Sequence, residues 1–177
     1  MRTVTVTAYD KRWPDLFEAE SALLLATLGS IIFRIHHIGS TSVPELAAKP
    51  VIDILLEVNG LTELDNANAA MKLNGYTARG ENGIPNRRYF TKGGDQRSHQ
   101  VHAFAVGDSQ IIKHLAFRDY LINNKNAAEE YAEIKRAAVL ASDNDVHRYS
   151  AFKTAFIEHH LRLALTGAEC SASHTKP

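Results

Sequence analysis

The feature that most constrains the fold is the stretch Val51–Val58, which is almost continuously apolar. A short apolar run between turn residues predicts a strand that is covered on both faces, because neither face carries enough polar side chains to be exposed to water. Such a strand lies inside a sheet and requires other elements packed against it. Near its start, Asp53 brings a carboxylate into this otherwise apolar environment.

Alternating polarity and turn residues place further elements around this strand. The other predicted strands cover residues 3–8, 31–38, 87–90 and 100–106. One predicted helix begins within residues 10–14 and ends at Gly29, and the others cover 61–73, 109–123, 127–142 and 147–165. Strands mixed with helices, followed by a helical C-terminal third, indicate an α+β or mixed α/β domain with helices packed on one side.

Length and charge limit the class of protein. The 177 residues include 20 basic and 20 acidic side chains, which argues against general nucleic-acid or anionic-membrane binding. The apolar runs are far shorter than the ~20 residues of a membrane span, and the single cysteine, Cys170, excludes an intrachain disulfide. We expect one cytoplasmic domain over residues 1–165 and a disordered tail of small, polar residues over 166–177. The sequence does not predict the oligomeric state.

The segment over residues 36–53 carries the candidate site. A predicted strand ends at Ile38, and a turn of glycine, serine, threonine and serine follows it. Backbone N–H groups and hydroxyls at such a turn suit a phosphate. Lys49 adds a positive charge, and the carboxylate of Asp53 could hold a Mg²⁺ ion that bridges phosphate oxygens. The alternative interpretation is an ordinary Ser/Thr helix cap and one polar residue near a strand end.

The order of residues in this segment and beyond it is specific. The principal motif is His37-Ile38-Gly39-Ser40-Thr41-Ser42-Val43-Pro44, followed by Leu46-Ala47-Ala48-Lys49-Pro50-Val51-Ile52-Asp53-Ile54. Further motifs are Tyr9-Asp10-x-x-Trp13, Leu73-x-Gly75-Tyr76, Arg88-Tyr89-Phe90, His102, Phe117-Arg118-Asp119-Tyr120-Leu121, Tyr131-x-x-x-Lys135 and Tyr149-x-x-x-Lys153-x-x-Phe156-Ile157. With these motifs the chain resembles the GrpB family of uncharacterised proteins (UPF0157) over about residues 3–165.

The resemblance implies a nucleotidyltransferase-like fold: a mixed β-sheet with helices packed on it and a helical C-terminal layer. The family is also similar to a domain fused to some bacterial dephospho-CoA kinases. Nucleotidyltransferases of this type carry a Gly-Ser motif, an Asp-x-Asp/Glu pair on the next strand and a third carboxylate on a later strand. Gly39, Ser40 and Asp53 match the first two features. Leu55 stands where the second acid would be, and His102 where the third would be.

Two functions stay open. The first is an enzyme that transfers a nucleotidyl or phosphoryl group with the help of Mg²⁺, Mn²⁺ or Zn²⁺. The second is a non-catalytic, degenerate member that binds a phosphate-bearing, nucleotide-like ligand, as an accessory to coenzyme A metabolism or to a protein partner. The missing acid at Leu55 favours the second function. The candidate catalytic residues are Asp53 and His102, and the candidate ligand-binding residues are His37, Gly39, Ser40, Thr41, Ser42, Lys49, Arg88 and Lys153.

Three of these residues, His37, Asp53 and His102, are also candidate metal ligands. One carboxylate with two imidazoles is a poor set for Mg²⁺, which prefers oxygen ligands, whereas Zn²⁺ and Mn²⁺ accept nitrogen more readily. The alternative role of His102 is that of a general base or of a hydrogen-bonding contact to the ligand.

Two basic positions complete the set of candidates. Residues 72–97 hold six basic and two acidic side chains, and Arg88 among them could clamp a phosphate with two parallel hydrogen bonds. The alternative is a solvated hairpin with ordinary surface charge. Tyr149 and Lys153 lie one helical turn apart, so Lys153 could bind an anion in a cleft between the C-terminal helices and the sheet. In the alternative interpretation, Lys153 is a surface side chain beside a core tyrosine.

Overall fold

The computed structural model describes residues 5–142 and 145–172. Its strands are β1 (Ile32–Ile38), β2 (Ile52–Val58), β3 (Tyr76–Ala78), β4 (Arg88–Lys92) and β5 (His99–Ala105). Its helices are α1 (Trp13–Leu28), α2 (Leu61–Asn66), α3 (Asn68–Leu73), α4 (Ser109–Asn123), α5 (Lys125–Ala141) and α6 (Val146–Ala172). Short 3₁₀ turns occur at Gly29–Ile31 and Ser40–Ser42. The predicted α+β class is confirmed, although helices pack on both faces of the sheet and not on one side as predicted.

The strands form one mixed sheet in the order β1-β2-β5-β4-β3. β2 pairs parallel to β5, and the other neighbouring strands pair antiparallel. In this register Asp53 lies beside Gln100, Leu55 lies beside His102, and His102 lies beside Tyr89. Because residues paired in register share a face of the sheet, the polar groups of β2, β4 and β5 are brought to one region on one face.

Strand β2 is buried on both faces, as the sequence predicts. Ile54 and Leu56 belong to the core that α1 covers. Leu55, between them, faces the other side and packs with Phe104 and with Ile111 of α4. All three side chains at 54–56 have no exposed surface. Burying an aliphatic side chain of this size contributes about 1.5–3 kcal/mol, so β2 holds together the layers on both sides of the sheet.

The C-terminal helical layer packs against the segment that joins β1 to β2. Helices α5 and α6 meet through Tyr131 and Phe156, whose stacked rings have centroids 4.8 Å apart. Val43 and Leu46, from the segment between β1 and β2, belong to the same apolar cluster. The layer therefore lies close to the candidate turn, which is where the sequence places the site.

Three elements differ from those that the sequence predicts. Residues 3 and 4 of the predicted strand over 3–8 lie outside the described part of the chain, and residues 5–8 form a bridge between Thr7 and Ala48 in its place, with backbone hydrogen bonds of 2.9 and 3.0 Å. Pro50 has no N–H group with which the pairing could continue. The predicted helix over 61–73 is interrupted at Ala67. Strand β3 is not predicted, because its three residues follow a turn and depend on pairing with β4.

Helix α6 continues to Ala172, beyond its predicted end at residue 165. Residues 166–172 of the predicted disordered tail are therefore helical, and residues 173–177 lie outside the described part of the chain. Gly167 costs about 1 kcal/mol relative to alanine in a helix, which is too little to end it. Although α6 is long, no helix among the described residues combines the length and apolar character of a membrane span.

We expect Leu55→Ala to lower the free energy of unfolding by about 2–5 kcal/mol, because it leaves a cavity between β2, β5 and α4. Leu73→Ala is the matched control: the Leu73 side chain is 89% exposed, and we expect a change within about 0.5 kcal/mol. Urea denaturation measures both values. A loss below about 1 kcal/mol for Leu55→Ala would contradict the burial of this face.

Candidate functional site

Gly39, which follows β1, lies directly against the carboxylate of Asp53. Its backbone, with φ 71° and ψ −172°, is in a region that glycine alone adopts readily. A side chain at this position would also collide, since a Cβ atom would lie 2.5 Å from Asp53 Oδ2. Gly39 therefore lets the turn and the carboxylate approach each other, as the Gly-Ser motif predicts.

Three of the predicted ligand-binding residues build this turn. The Ser42 hydroxyl donates to the Gly39 carbonyl over 2.6 Å. Thr41 is buried, and its hydroxyl lies 3.4 Å from the Val51 carbonyl and 3.0 Å from His37 Nε2. Burial lowers the pKa of His37 to about 4, so its imidazole is neutral at pH 7. His37, Thr41 and Ser42 thus hold the turn in shape.

The site contains two cavities, which we name the lysine cavity and the histidine cavity after side chains that line them. Both are lined by Ser40, Asp53 and Gln100, which lie between them. The lysine cavity has a volume of about 350 Å³, and the histidine cavity a volume of about 220 Å³. Side chains that line the lysine cavity include Thr41, Lys49, Tyr89, Lys135, His147, Tyr149, Ser150 and Lys153. Side chains that line the histidine cavity include His102, His114, Phe117, Arg118 and Tyr131. Gly39, Ser40, Asp53 and His102 thus surround one cleft.

Two lysine ammonium groups of the lysine cavity lie over one aromatic ring. Lys49 Nζ is 3.6 Å and Lys153 Nζ is 4.4 Å from the ring centre of Tyr149. Both nitrogens are thus closer to each other than the Debye length of about 10 Å at 0.1 M ionic strength. Burial lowers the pKa of Lys153, while the nearby Asp53 carboxylate opposes that change. This side of the cleft is therefore positively charged and partly desolvated.

Lys135 of α5 adds a third amine to the lysine cavity. Its side chain is buried, its Nζ donates a hydrogen bond to the Ala47 carbonyl, and the Tyr131 ring centre lies 4.5 Å away. Burial, together with the nearby positive charges of Lys153 and Arg136, lowers the pKa of Lys135 to about 7. The described residues provide no carboxylate within ion-pair distance of Lys135.

In the histidine cavity, His102 connects Asp53 to an arginine. His102 Nε2 lies 3.8 Å from Asp53 Oδ1, and His102 Nδ1 lies 3.4 Å from Nη1 of Arg87. A guanidinium can only donate, so Nδ1 accepts and the neutral imidazole carries its proton on Nε2. His114 lies next to His102, with the two ring centres 5.4 Å apart. Burial lowers the pKa of His114 to about 4.

The prediction that Arg88 lies at the phosphate cradle is wrong. Arg88 makes a bidentate ion pair with Asp65 of α2, through hydrogen bonds of 2.7 and 2.8 Å. Adjacent residues of a strand point to opposite faces, and it is Tyr89 that shares the face of His102. Arg87, just before β4, is the buried arginine that contacts His102, and it also donates to the carbonyls of Glu81 and Asn82.

The residues of the cleft do not fit a nucleotidyltransferase metal centre. Leu55, where the second acid would be, is fully buried among apolar side chains. Glu57, the next acid on that face, pairs with His36 over 2.6 Å. Within residues 5–142 and 145–172, no three His, Cys, Asp or Glu side chains are arranged to hold a metal ion. The predicted set of His37, Asp53 and His102 is therefore not assembled as a metal site.

The sequence assigns no role to three residues that line the cleft, Lys135, Tyr149 and Gln100. It likewise assigns none to Arg87, which contacts His102. The signal for the first two is a repeated spacing: a tyrosine precedes a lysine by four residues in both α5 and α6. That spacing places each pair on one helix face. Gln100 gives no comparable signal, although its Oε1 accepts a 2.7 Å hydrogen bond from the Tyr89 hydroxyl.

Comparison with known proteins identifies the family. The sequence profile described as "GrpB protein" matches residues 3–163. The chain belongs to the GrpB family. UPF0157 protein YqkA of Bacillus subtilis is 43% identical over 157 residues, which are 89% of this chain and 46% of that relative. The chain thus spans about half the length of this relative. A dephospho-CoA kinase of Mycolicibacterium paratuberculosis is 25% identical over 185 residues, covering 90% of this chain and 46% of the kinase.

Solved structures show the fold of this GrpB-family protein. The crystal structure of GrpB from Enterococcus faecalis superposes with a TM-score of 0.89 at 38% identity, covering 93% of this chain and 99% of that chain. The structure of Cid1, a poly(U) polymerase, in complex with its short product ApU superposes with a TM-score of 0.50 at 15% identity, covering 73% of this chain and 42% of that chain. The predicted nucleotidyltransferase-like fold is confirmed.

We expect Gly39→Ala to reduce stability more than Gly83→Ala. Both glycines have positive φ, at 71° and 87°, so both substitutions introduce backbone strain of about 1–3 kcal/mol. Only the Cβ at position 39 meets the Asp53 carboxylate, because nothing lies within 4 Å of a Cβ at position 83. Urea denaturation compares the variants. Equal losses would contradict the contact between Gly39 and Asp53.

We expect the stability of wild type relative to Lys135→Met to rise with pH. Because burial lowers the pKa of Lys135 from 10.5 to about 7, the unfolded chain binds more protons there between these values. The destabilising effect of the charged amine is complete below pH 7, and it is relieved by up to about 1.4 kcal/mol per pH unit above pH 7. Urea denaturation at pH 7 and pH 9 tests this, with exposed Lys72→Met as control. Parallel profiles for wild type and Lys135→Met would contradict it.

Proposed function

We propose that this GrpB-family protein binds a phosphate-bearing, nucleotide-like ligand in the cleft, with the phosphates in the lysine cavity. The observation that carries the proposal is the convergence of Lys49 and Lys153 on the Tyr149 ring, next to Ser40. The two cations come from different parts of the fold, the segment before β2 and helix α6. Folding thus brings like charges together, and the single Asp53 carboxylate near Lys153 is joined by further negative charge when an anion binds.

An anion with two or more negative charges matches this arrangement. Ammonium groups donate charge-assisted hydrogen bonds to phosphate oxygens, and these are stronger in a partly buried cavity than in water. The hydroxyls of Ser40 and Ser150 also line the cavity and supply neutral donors. Asp53 at the junction is repelled by phosphate, which favours a ligand whose neutral part, such as a sugar or base, lies toward the histidine cavity.

The alternative of metal-dependent nucleotidyl transfer receives less support. Such an enzyme needs carboxylates that hold the metal ion against the phosphates, and Asp53 has no second acid at Leu55 to share that role. We therefore derive no transfer step through a metal. The cationic cavity, by contrast, needs no metal to bind an anion.

The names of two relatives guide the choice of ligands. The kinase of M. paratuberculosis is described as a dephospho-CoA kinase, and Cid1 is described in complex with ApU. We therefore propose dephospho-coenzyme A, ATP and UTP as test ligands, with pyrophosphate as the minimal anion. If pyrophosphate alone binds as the larger ligands do, the phosphate groups are the part of the ligand that the protein recognises.

We expect Lys49→Ala and Lys153→Ala each to weaken binding of the tightest of these ligands roughly tenfold or more, because a charge-assisted hydrogen bond contributes about 1.5–3 kcal/mol. Titration calorimetry with the purified protein measures the affinities. Lys72→Ala removes the same charge from an exposed position in α3, and its affinity should match that of wild type. Equal affinities in wild type and both cleft variants would contradict the proposal.

The same titrations, repeated with a metal chelator, separate binding from transfer. Affinity that persists in the chelator supports binding by the lysines alone. Affinity that requires Mg²⁺, or release of pyrophosphate from ATP, would favour the transferase instead.

A further inference from the structure

Lys135 differs from the other two lysines of the lysine cavity in its surroundings. Its side chain is 2% exposed, yet it lines the cavity. Its ammonium has a single hydrogen-bond acceptor among the described residues, the Ala47 carbonyl, and it lies against the Tyr131 ring. An amine in such a place is held in position and shielded from water, on a side chain that lines the cavity.

The neighbours of Lys135 disfavour its protonated form. Lys153 and Arg136 place positive charge nearby, and burial together with these charges lowers the pKa of Lys135 to about 7. A lysine that is desolvated, or next to another cation, is a nucleophile at neutral pH because its lone pair is free. One N–H of the neutral amine still satisfies the Ala47 carbonyl, which leaves the lone pair for a ligand.

We propose that Lys135 is the nucleophilic amine of this cavity and that it forms a reversible imine with a phosphate-bearing aldehyde. The inference rests on the proposed function, because Lys49 and Lys153 would hold the phosphate while the aldehyde reaches Lys135. These three residues line one cavity, so a single small ligand can contact all of them.

The reaction balances without an oxidant or reductant. The lone pair of Lys135 Nζ attacks the aldehyde carbon, the C=O π bond opens, and a proton moves from nitrogen to oxygen to give a carbinolamine. The hydroxyl then takes up a proton from solvent and leaves as water, while the nitrogen lone pair forms the C=N bond. Hydrolysis by the reverse path releases the amine and the aldehyde.

Pyridoxal 5′-phosphate is a suitable probe, since its imine absorbs visible light and borohydride reduction makes the adduct permanent. We expect reduction and peptide mapping of the wild-type protein to find the adduct on Lys135, at a rate that rises with pH through about pH 7. Excess pyrophosphate should suppress labelling at Lys135 and leave labelling of exposed Lys72 unchanged. Lys135→Arg keeps the positive charge and removes the nucleophile, so it should abolish the adduct whose formation pyrophosphate suppresses.

Pyridoxal, which lacks the phosphate, separates this inference from the proposed function. In Lys49→Ala we expect the preference of Lys135 for pyridoxal 5′-phosphate over pyridoxal to fall about tenfold. Labelling confined to surface lysines such as Lys72, with pyrophosphate binding intact, would overturn the inference and leave the proposed function standing. Equal labelling of Lys135 by both aldehydes in wild type would show a reactive amine without a phosphate site, and would overturn the proposed function.

Discussion

The carboxylate of Asp53 occupies the space in which a side chain on Gly39 would lie. This contact sets how closely the turn after β1 approaches the start of β2, and it requires glycine for both its backbone angles and its lack of a Cβ. This turn fixes Ser40 at the junction of the two cavities, and the hydrogen bonds of the buried Thr41 hold the turn in place. The geometry of the cleft thus depends on one glycine–carboxylate contact.

The burial of β2 on both faces explains why Asp53 is the one acid that the described residues bring to this cleft. A carboxylate is tolerated at Asp53, near the start of the strand, where the side chain reaches the cavities. Two residues further on, Leu55 lies where a charge would have neither water nor a partner, and burying an unpaired charge is very unfavourable. The same packing that stabilises the sheet therefore excludes a metal-binding pair and leaves the lysines as the dominant charges of the cleft.

The sequence predicts those parts of the structure that depend on local patterns. The apolar run of β2, the stop at Gly29 and the turn after Ile38 are local, and the structure confirms them. The choice between Arg87 and Arg88 is not local, because it depends on where β4 begins and on its register with β5. Lys135 is likewise visible as part of a motif, but its burial follows from the packing of α5 against the segment around Ala47. Pairing register and depth of burial are tertiary properties, which single-residue patterns do not contain.

The groups of the cleft come from separate elements of the fold: Asp53 from β2, Lys135 from α5 and Lys153 from α6. Docking of the last two helices is therefore part of making the site, and electrostatic repulsion among the lysines opposes that docking. A bound anion would reverse the sign of this contribution, since ligands that bind only the docked state stabilise it by mass action. With such a ligand, occupancy of the cleft and docking of the helical layer would form one linked equilibrium, and amide hydrogen exchange in α5 and α6 would slow as the cleft fills.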